Sequence, residues 1–198
     1  MEVDPLGVAS VVIGQLNPSH VFLGLPAAAK LVECVMRTQG DYVEIGSAYG
    51  CSAILAAKGM EGRPGMVFCM DRFADSHELA GIDNAILSFW GNCIRAGVQQ
   101  RIVAFKHHNP PFPLPIWYHQ FSVGLIDGDH SEHAVRDDWN SFKNRVTDYV
   151  LFDNFEKDTV SRVVNEIATV REWGLVEVIE HETKLSKHNE LAVMGKIK

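Results

Sequence analysis

The stretch Asp41-Tyr-Val-Glu-Ile-Gly-Ser-Ala-Tyr-Gly-Cys-Ser52, continued by Ala-Ile-Leu-Ala-Ala-Lys58, decides the fold. Residues 41–45 are rich in β-forming side chains, which predicts a short buried strand, and the glycines that follow mark its end. After Gly50 the residues are good helix formers with apolar spacing. The chain therefore changes from strand to helix across residues 46–50, and such a turn presents unpaired backbone N–H groups to an anionic group.

The glycine spacing of this turn differs from that of the dinucleotide-binding fingerprint, which reads G-x-G-x-x-G. This chain instead places Glu44, Gly46, Gly50 and Ser52 in the order Glu-x-Gly-x-x-x-Gly-x-Ser. A carboxylate on the strand disfavours a pyrophosphate and suits a cofactor that carries an ammonium group. In this form the turn resembles the first motif of the class I S-adenosylmethionine-dependent methyltransferases. A similar turn in some other α/β protein is the alternative interpretation.

Length and composition are those of a globular protein with a substantial core, since 46% of the 198 residues are hydrophobic. The formal net charge of −7 argues against nucleic acid and anionic membranes as partners. No apolar run reaches the ~18 residues of a membrane span. The four cysteines form no C-x-x-C pair, which predicts a reduced, cytoplasmic compartment and argues against structural zinc.

The chain is expected to have two parts. Residues 1–26, with three prolines and several glycines, are predicted to be an irregular arm whose apolar islands would allow a homodimer. Residues 27–198 are predicted to form one S-adenosylmethionine-binding domain, with a long helix over 78–96 and a last helix that ends near Trp173. Strands are predicted at 41–45, 66–70, 101–105, 121–127, 148–152, 175–180 and 190–195, of which the last two form an antiparallel hairpin. This pattern predicts a Rossmann-like α/β fold: a mostly parallel seven-stranded sheet with one antiparallel strand and helices on both faces.

The predicted cofactor site extends beyond the turn to the ends of two further strands. Asp71 ends the second strand, where a carboxylate can accept hydrogen bonds from both hydroxyls of a ribose; an Asp that caps the following segment is the alternative. His108 and Asn109 lie in a proline-rich loop, at the place where related enzymes contact the adenine edge. The full set predicted to contact the cofactor is Glu44, Gly46, Ser47, Gly50, Ser52, Asp71, Arg72, His108, Asn109 and Asp127.

Acidic residues follow the fourth and fifth strands. Asp127 ends one strand, and Asp153 and Asn154 end the next. Because the carboxyl ends of neighbouring parallel strands meet at one edge of a sheet, these three side chains are expected to come together. Hard oxygen ligands suit Mg²⁺, Mn²⁺ or Ca²⁺ rather than zinc. A helix cap is the alternative interpretation for Asp127.

These strand ends resemble the metal triad of the metal-dependent O-methyltransferases, the catechol and caffeoyl-coenzyme-A group, and the resemblance covers the chain from about Ala27. The run from 126 to 139 is more similar to their bacterial relatives that methylate macrolide sugars. The resemblance implies that Asp127 and His130 are catalytic, with His130 as general base where catechol-type enzymes have a lysine. It implies a small-molecule acceptor with hydroxyl groups: a sugar, a glycosylated natural product or another diol.

Other functions compete with this interpretation. A metal-dependent hydrolase could use Asp127, Asp129, His130 and His133, since a His-x-x-His pair beside carboxylates can bind zinc or iron, but it leaves the 44–52 turn unexplained. A nicotinamide-dependent oxidoreductase would share the acidic residue after the second strand but lacks the glycine spacing. A non-catalytic cofactor-binding protein is the fourth alternative.

Overall fold

The computed structural model describes residues 4–73, 85–106, 116, 118–183 and 186–197. The described residues form one seven-stranded sheet flanked by helices. The helices are α1 Pro5–Gln15, α2 Leu25–Met36, α3 Cys51–Gly59, α4 Ala85–Arg95, α5 Glu132–Phe142 and α6 Asp158–Ala168. The strands are β1 Tyr42–Ile45, β2 Val67–Asp71, β3 Ile102–Lys106, β4 Phe121–Ile126, β5 Val146–Phe152, β6 Trp173–His181 and β7 Asn189–Lys196.

The strand order is β3-β2-β1-β4-β5-β7-β6. β1 to β5 pair in parallel, whereas β7 runs antiparallel to both of its neighbours, β5 and β6. The predicted mostly parallel sheet with one antiparallel strand is therefore confirmed. In the described part of the chain, no helix has both the length and the apolar character that crossing a membrane requires.

The N-terminal segment departs from the prediction of an irregular arm. Residues 5–15 form α1, whose first turn is capped by the Asp4 carboxylate, which accepts hydrogen bonds from the backbone N–H groups of Leu6 and Gly7 at 3.0 Å each. Pro5 occupies the first position of the helix, where a missing N–H costs nothing. Ala9 and Val12 of α1 are buried in the core that also contains α2. The irregular-arm prediction was wrong for this segment because the proline starts a helix.

One helix boundary lies outside the described residues, and another differs from prediction. The predicted helix over 78–96 is described from Ala85, as α4, and its predicted first turns lie outside the described residues. The last helix was expected to end near Trp173, but α6 ends at Ala168 and Trp173 begins β6. Trp173 is buried with its ring 5.2 Å from that of Trp139. The buried contact with Trp139 is consistent with the place of Trp173 in the sheet rather than at the end of a helix.

The register of four parallel strands lines up their carboxyl ends. Ile45 of β1 lies beside Met70 of β2 and Ile126 of β4, and Ile126 lies beside Phe152 of β5. The residues that follow these positions are Asp71, Gly46, Asp127 and Asp153. Neighbouring strands are about 4.8 Å apart, so these four residues form a row along one edge of the sheet, where ligands of open α/β sheets bind.

Candidate active site

Two glycines shape the turn between β1 and α3. Gly46 and Gly50 have φ angles of +93° and +86°, in the left-handed region that favours glycine. A Cβ atom at Gly46 would lie 1.9 Å from the backbone carbonyl oxygen of Asp127. The sequence suggested that Gly46 lets a ligand approach, and the structure adds that Gly46 lets the turn pass against the end of β4. Gly50 precedes α3 and has no side chain to cap the first N–H groups of that helix.

Glu44 lies on β1 and is completely buried. Its Oε2 accepts a hydrogen bond from the Tyr42 hydroxyl at 2.9 Å. Its Oε1 and the Oγ of Ser47 are buried without a hydrogen-bond partner among the described residues. Burial raises the pKa of Glu44, while the nearby hydroxyl groups of Ser47 and Ser52 oppose that rise. The turn therefore encloses unsatisfied polar oxygens that a cationic or hydrogen-bonding group could use.

Asp71 ties the end of β2 to this turn. Its Oδ2 accepts a hydrogen bond from the backbone N–H of Ala48 at 2.8 Å, and its Oδ1 accepts one from that of Phe73 at 2.6 Å. A carboxylate offers about four acceptor positions, so Asp71 keeps capacity for further hydrogen bonds. Arg72 is exposed beside it. The other predicted contacts, His108 and Asn109, lie outside the described residues.

Part of the N-terminal segment covers the turn, which the sequence did not indicate. The His20 ring stacks on Tyr49 at a centroid distance of 4.2 Å, and Phe22 lies 6.0 Å from the same ring. Asn92 of α4 donates its Nδ2 hydrogens to the Tyr49 carbonyl at 2.9 Å and contacts His20 Nδ1 at 3.1 Å. An aromatic residue inside a glycine-rich turn was the available signal, because such a ring needs a partner to pack against.

The second half of the site is a cluster formed by Asp127, His130 and Asp153. One ligand atom from each residue lies within 4.8 Å of the others, and His130 Nε2 is 3.5 Å from Asp127 Oδ1. Burial, and secondarily the adjacent Asp153 carboxylate, raise the pKa of Asp127 well above its ordinary value. Asp153 Oδ1 and His130 Nε2 are buried without a partner among the described residues. Two carboxylates at this spacing, with an imidazole beside them, fit a divalent cation.

Asn154, the third predicted metal ligand, forms hydrogen bonds to side chains on the turn that follows it. Its Oδ1 accepts a hydrogen bond from Lys157 Nζ at 3.1 Å, and its Nδ2 donates to Glu156 Oε1 at 3.2 Å. Lys157 also donates to His130 Nδ1 at 2.9 Å. The structure thus brings Asp127, Asp153 and His130 together, while the Asn154 amide forms hydrogen bonds to Lys157 and Glu156; its role as a metal ligand stays a prediction. Sequence reasoning missed Lys157, although its position three residues after Asn154 in a turn was a usable signal.

His181, at the end of β6, lies behind the cluster. Its Nδ1 accepts a hydrogen bond from the backbone N–H of Gly24 at 3.2 Å, so in the neutral ring Nε2 carries the hydrogen. That nitrogen is 3.6 Å from Asp153 Oδ1, and the side chain is fully buried. Nothing in the sequence pattern indicated this contact. His181 therefore connects Asp153 to the segment that precedes α2.

A cavity of about 370 Å³ lies where Gly24 and the residues after His181 meet. Its volume falls within the range of small-molecule pockets. Its walls are mostly apolar, with two polar residues at the end of β6. The lining residues are Ile13, Pro18, Val21, Leu23, Gly24, Leu25, Glu182 and Thr183.

Asp129 and His133 do not join the cluster. Asp129 Oδ1 accepts a hydrogen bond from the backbone N–H of Ser131 at 2.7 Å, ahead of α5. The His133 side chain is 89% exposed and pairs with Asp137 at 3.3 Å. The four-residue constellation that a hydrolase would need is therefore not assembled by these side chains.

Asp138 of α5 supplies a prediction about stability. It is 3% exposed, and burial, followed by the charges of Asp137 and Asp129, raises its pKa to about 7. In the unfolded chain an Asp has a pKa of about 3.9. Between these two values the folded chain holds one more proton than the unfolded chain, so stability falls as pH rises. We expect Asp138→Asn to raise the free energy of unfolding by about 2 kcal/mol more at pH 8 than at pH 5.

Denaturant unfolding at the two pH values measures this difference. Glu61→Gln is the matched control, because it removes a carboxylate whose side chain is 69% exposed. An equal effect of Asp138→Asn at both pH values would contradict the raised pKa.

The order of the sheet, the glycine turn after β1 and the acidic residue at the end of β2 define a class I methyltransferase fold. A family described as "Methyltransferase domain" matches residues 43–155, more than half of the chain. The protein therefore belongs to this family, and the predicted resemblance to S-adenosylmethionine-dependent methyltransferases is confirmed. Among curated proteins, none matches the chain in sequence.

Solved structures share the fold at low sequence identity. A putative O-methyltransferase from Klebsiella pneumoniae is 15% identical, with a TM-score of 0.67 over 98% of this chain and 88% of that one. An O-methyltransferase from Bacillus cereus, in complex with S-adenosylhomocysteine, is 16% identical, with a TM-score of 0.64 over 99% and 92%. A putative RNA methyltransferase from Pyrococcus horikoshii is 11% identical, with a TM-score of 0.66 over the full length of both chains. The same fold therefore occurs in proteins described as methyltransferases of different acceptors, and the fold alone does not identify the acceptor.

Proposed function

We propose that the protein is an S-adenosylmethionine-dependent O-methyltransferase that methylates a hydroxyl group of a small molecule with the help of a divalent metal ion. The observation that carries this proposal is the contact between the two halves of the site. Gly46 of the cofactor turn packs directly against the backbone of Asp127, the first residue of the carboxylate cluster. A methyl donor in the turn and a hydroxyl at the cluster would therefore be close neighbours, as transfer requires.

The residues of the turn fit the proposed cofactor. Glu44 and Ser47 offer buried, unpartnered oxygens, the N-terminus of α3 offers N–H groups to a carboxylate, and Asp71 retains acceptor capacity for a ribose. The chemistry that S-adenosylmethionine supplies when bound is a methyl group on a sulfonium, a good leaving group. The B. cereus structure that shares this fold contains the demethylated product of that cofactor, which supports the assignment.

The carboxylate cluster would prepare the acceptor. Asp127 and Asp153 would hold Mg²⁺, Mn²⁺ or Ca²⁺, and a bound divalent ion lowers the pKa of a hydroxyl that it ligates. His130 would take the hydroxyl proton at Nε2, the ring nitrogen that faces the carboxylates. This step needs the tautomer with its hydrogen on Nδ1, and Lys157 cannot donate to that tautomer.

The acceptor class follows from charge and from the cavity. A net charge of −7 disfavours a polyanionic acceptor such as RNA. The apolar cavity beside Gly24, which is lined by residues next to His181 rather than by the cluster itself, would receive an apolar part of the acceptor. An acceptor with an apolar body and adjacent hydroxyls fits these walls better than a fully polar sugar does.

Chelation tests the metal-assisted reaction. We expect EDTA to lower the transfer of labelled methyl from S-adenosylmethionine to a panel of diols by at least 100-fold, and Mg²⁺ or Mn²⁺ to restore it, because the ion carries part of the activation of the hydroxyl. Titration calorimetry with S-adenosylhomocysteine should give the same dissociation constant with and without EDTA. Full transfer in EDTA would make the cluster structural, and absence of calorimetric binding would remove the cofactor assignment itself.

A further inference from the structure

Lys157 brings a positive charge to the edge of the carboxylate cluster. It is the residue before α6, and its backbone is fixed there, since its carbonyl accepts hydrogen bonds from Val160 and Ser161. Its Nζ donates to His130 Nδ1 at 2.9 Å and to Asn154 Oδ1 at 3.1 Å. The ammonium thus forms hydrogen bonds to His130, three residues after Asp127, and to Asn154, the residue after Asp153.

These hydrogen bonds decide what His130 and Asn154 can do. An ammonium only donates hydrogen bonds, so His130 Nδ1 must carry the lone pair and Nε2 must carry the hydrogen in the neutral ring. A protonated Nε2 neither binds a metal ion nor accepts a proton. The Asn154 oxygen, the donor that the sequence predicted for a metal ion, is also directed to Lys157. In this arrangement His130 Nε2 cannot accept a proton, and the Asn154 oxygen is engaged by Lys157 rather than by a metal ion.

We infer that Lys157 is a tethered cation that competes with the divalent ion: binding of the ion to Asp127 and Asp153 expels the ammonium and releases Asn154 and His130 together. Lys157 is itself exposed, but its charge acts on the cluster, where it lowers the pKa of Asp127 against the effect of burial, and an ammonium and a divalent cation near the same carboxylates repel each other. Asn154 then becomes available as a ligand, and His130 becomes available for the acceptor proton. The inference rests on the proposed function for its catalytic meaning, but it concerns metal affinity, which can be measured alone.

The dissociation constant of Mn²⁺, measured by electron paramagnetic resonance at low ionic strength, tests this competition on the full chain. We expect Lys157→Met to bind Mn²⁺ at least tenfold more tightly than the unmodified protein. Lys157→Arg keeps the charge and should leave the affinity within about threefold. Lys58→Met is the matched control: it removes the same charge from the last turn of α3, where Lys58 pairs with the exposed Glu61 at 2.8 Å, and it should change the affinity less than twofold.

Equal Mn²⁺ affinity in Lys157→Met and the unmodified protein would overturn the inference, and so would undetectable binding in both. Lys157→Gln repeats the test with a polar replacement should the Met variant fold poorly. Binding of S-adenosylhomocysteine to the same samples separates the two proposals. Loss of that binding in every sample would count against the proposed function, whereas the Mn²⁺ comparison decides the role of Lys157.

Discussion

His130→Ala should lower kcat by about 10²–10⁴-fold, the usual contribution of a general base. His130 is the imidazole of the cluster, with Nε2 directed at Asp127 and buried without a hydrogen-bond partner among the described residues. Because the proton transfer belongs to the transition state, the dissociation constant of S-adenosylhomocysteine should change little. Steady-state methyl transfer and titration calorimetry measure the two quantities.

His130→Gln separates a base from a residue that only positions its neighbours. Glutamine keeps a hydrogen-bonding side chain but cannot take a proton near neutral pH, so a base role requires it to be as inactive as alanine. Substantial activity in His130→Gln would make His130 a positioning residue. The pH profile provides a second check. Burial lowers the pKa of His130, so kcat in the unmodified protein should fall only as pH drops below about 6.5.

Gly46→Ala should cost about 3 kcal/mol more stability than Gly62→Ala. Both glycines have positive φ angles, +93° and +79°, so alanine pays a similar conformational cost at each. They differ in surroundings, because a Cβ at Gly46 would lie 1.9 Å from the Asp127 carbonyl oxygen whereas one at Gly62 would meet nothing within 4 Å. The difference in free energy of unfolding between the two variants, measured with denaturant, separates the cost of the steric clash at Gly46 from the cost of the positive φ angle that both positions share.

The Gly46 substitution should also affect both halves of the site. A shift of the Asp127 backbone away from the new methyl group would move the first carboxylate of the cluster, so the affinities for S-adenosylhomocysteine and for Mn²⁺ should fall together. A variant that loses only cofactor binding, with the stability of Gly62→Ala, would instead mean that Gly46 serves the ligand alone.

The sequence was sufficient to predict the sheet and the row of residues at its edge. Strand periodicity and the residues after each strand are local properties, and parallel pairing then brings Asp127 beside Asp153 without further information. The irregular-arm prediction fails at α1 because proline usually interrupts regular structure, whereas Pro5 directly after Asp4 is typical of a capped helix start.

Contacts between distant parts of the chain could not be predicted in this way. Gly24 and His181 are separated by 157 residues, and no spacing rule connects a loop before a helix with the end of a terminal strand. Lys157 illustrates a second limit. Its backbone position was foreseeable, but the direction of a long flexible side chain depends on which acceptors surround it in the folded protein.

The stretch from His20 to Gly24 contacts both halves of the candidate site, the cofactor turn and the residues behind the carboxylate cluster. Through its aromatic residues it rests on Tyr49 in the cofactor turn, and through its last amide it holds the imidazole behind Asp153. Any movement that opens one of these contacts strains the other, because only three residues separate His20 from Gly24. The same stretch also lines the cavity beside Gly24 through Val21 and Leu23, so under the proposed function the methyl donor and the acceptor would both bind next to it, and a shift of this stretch would change both sites.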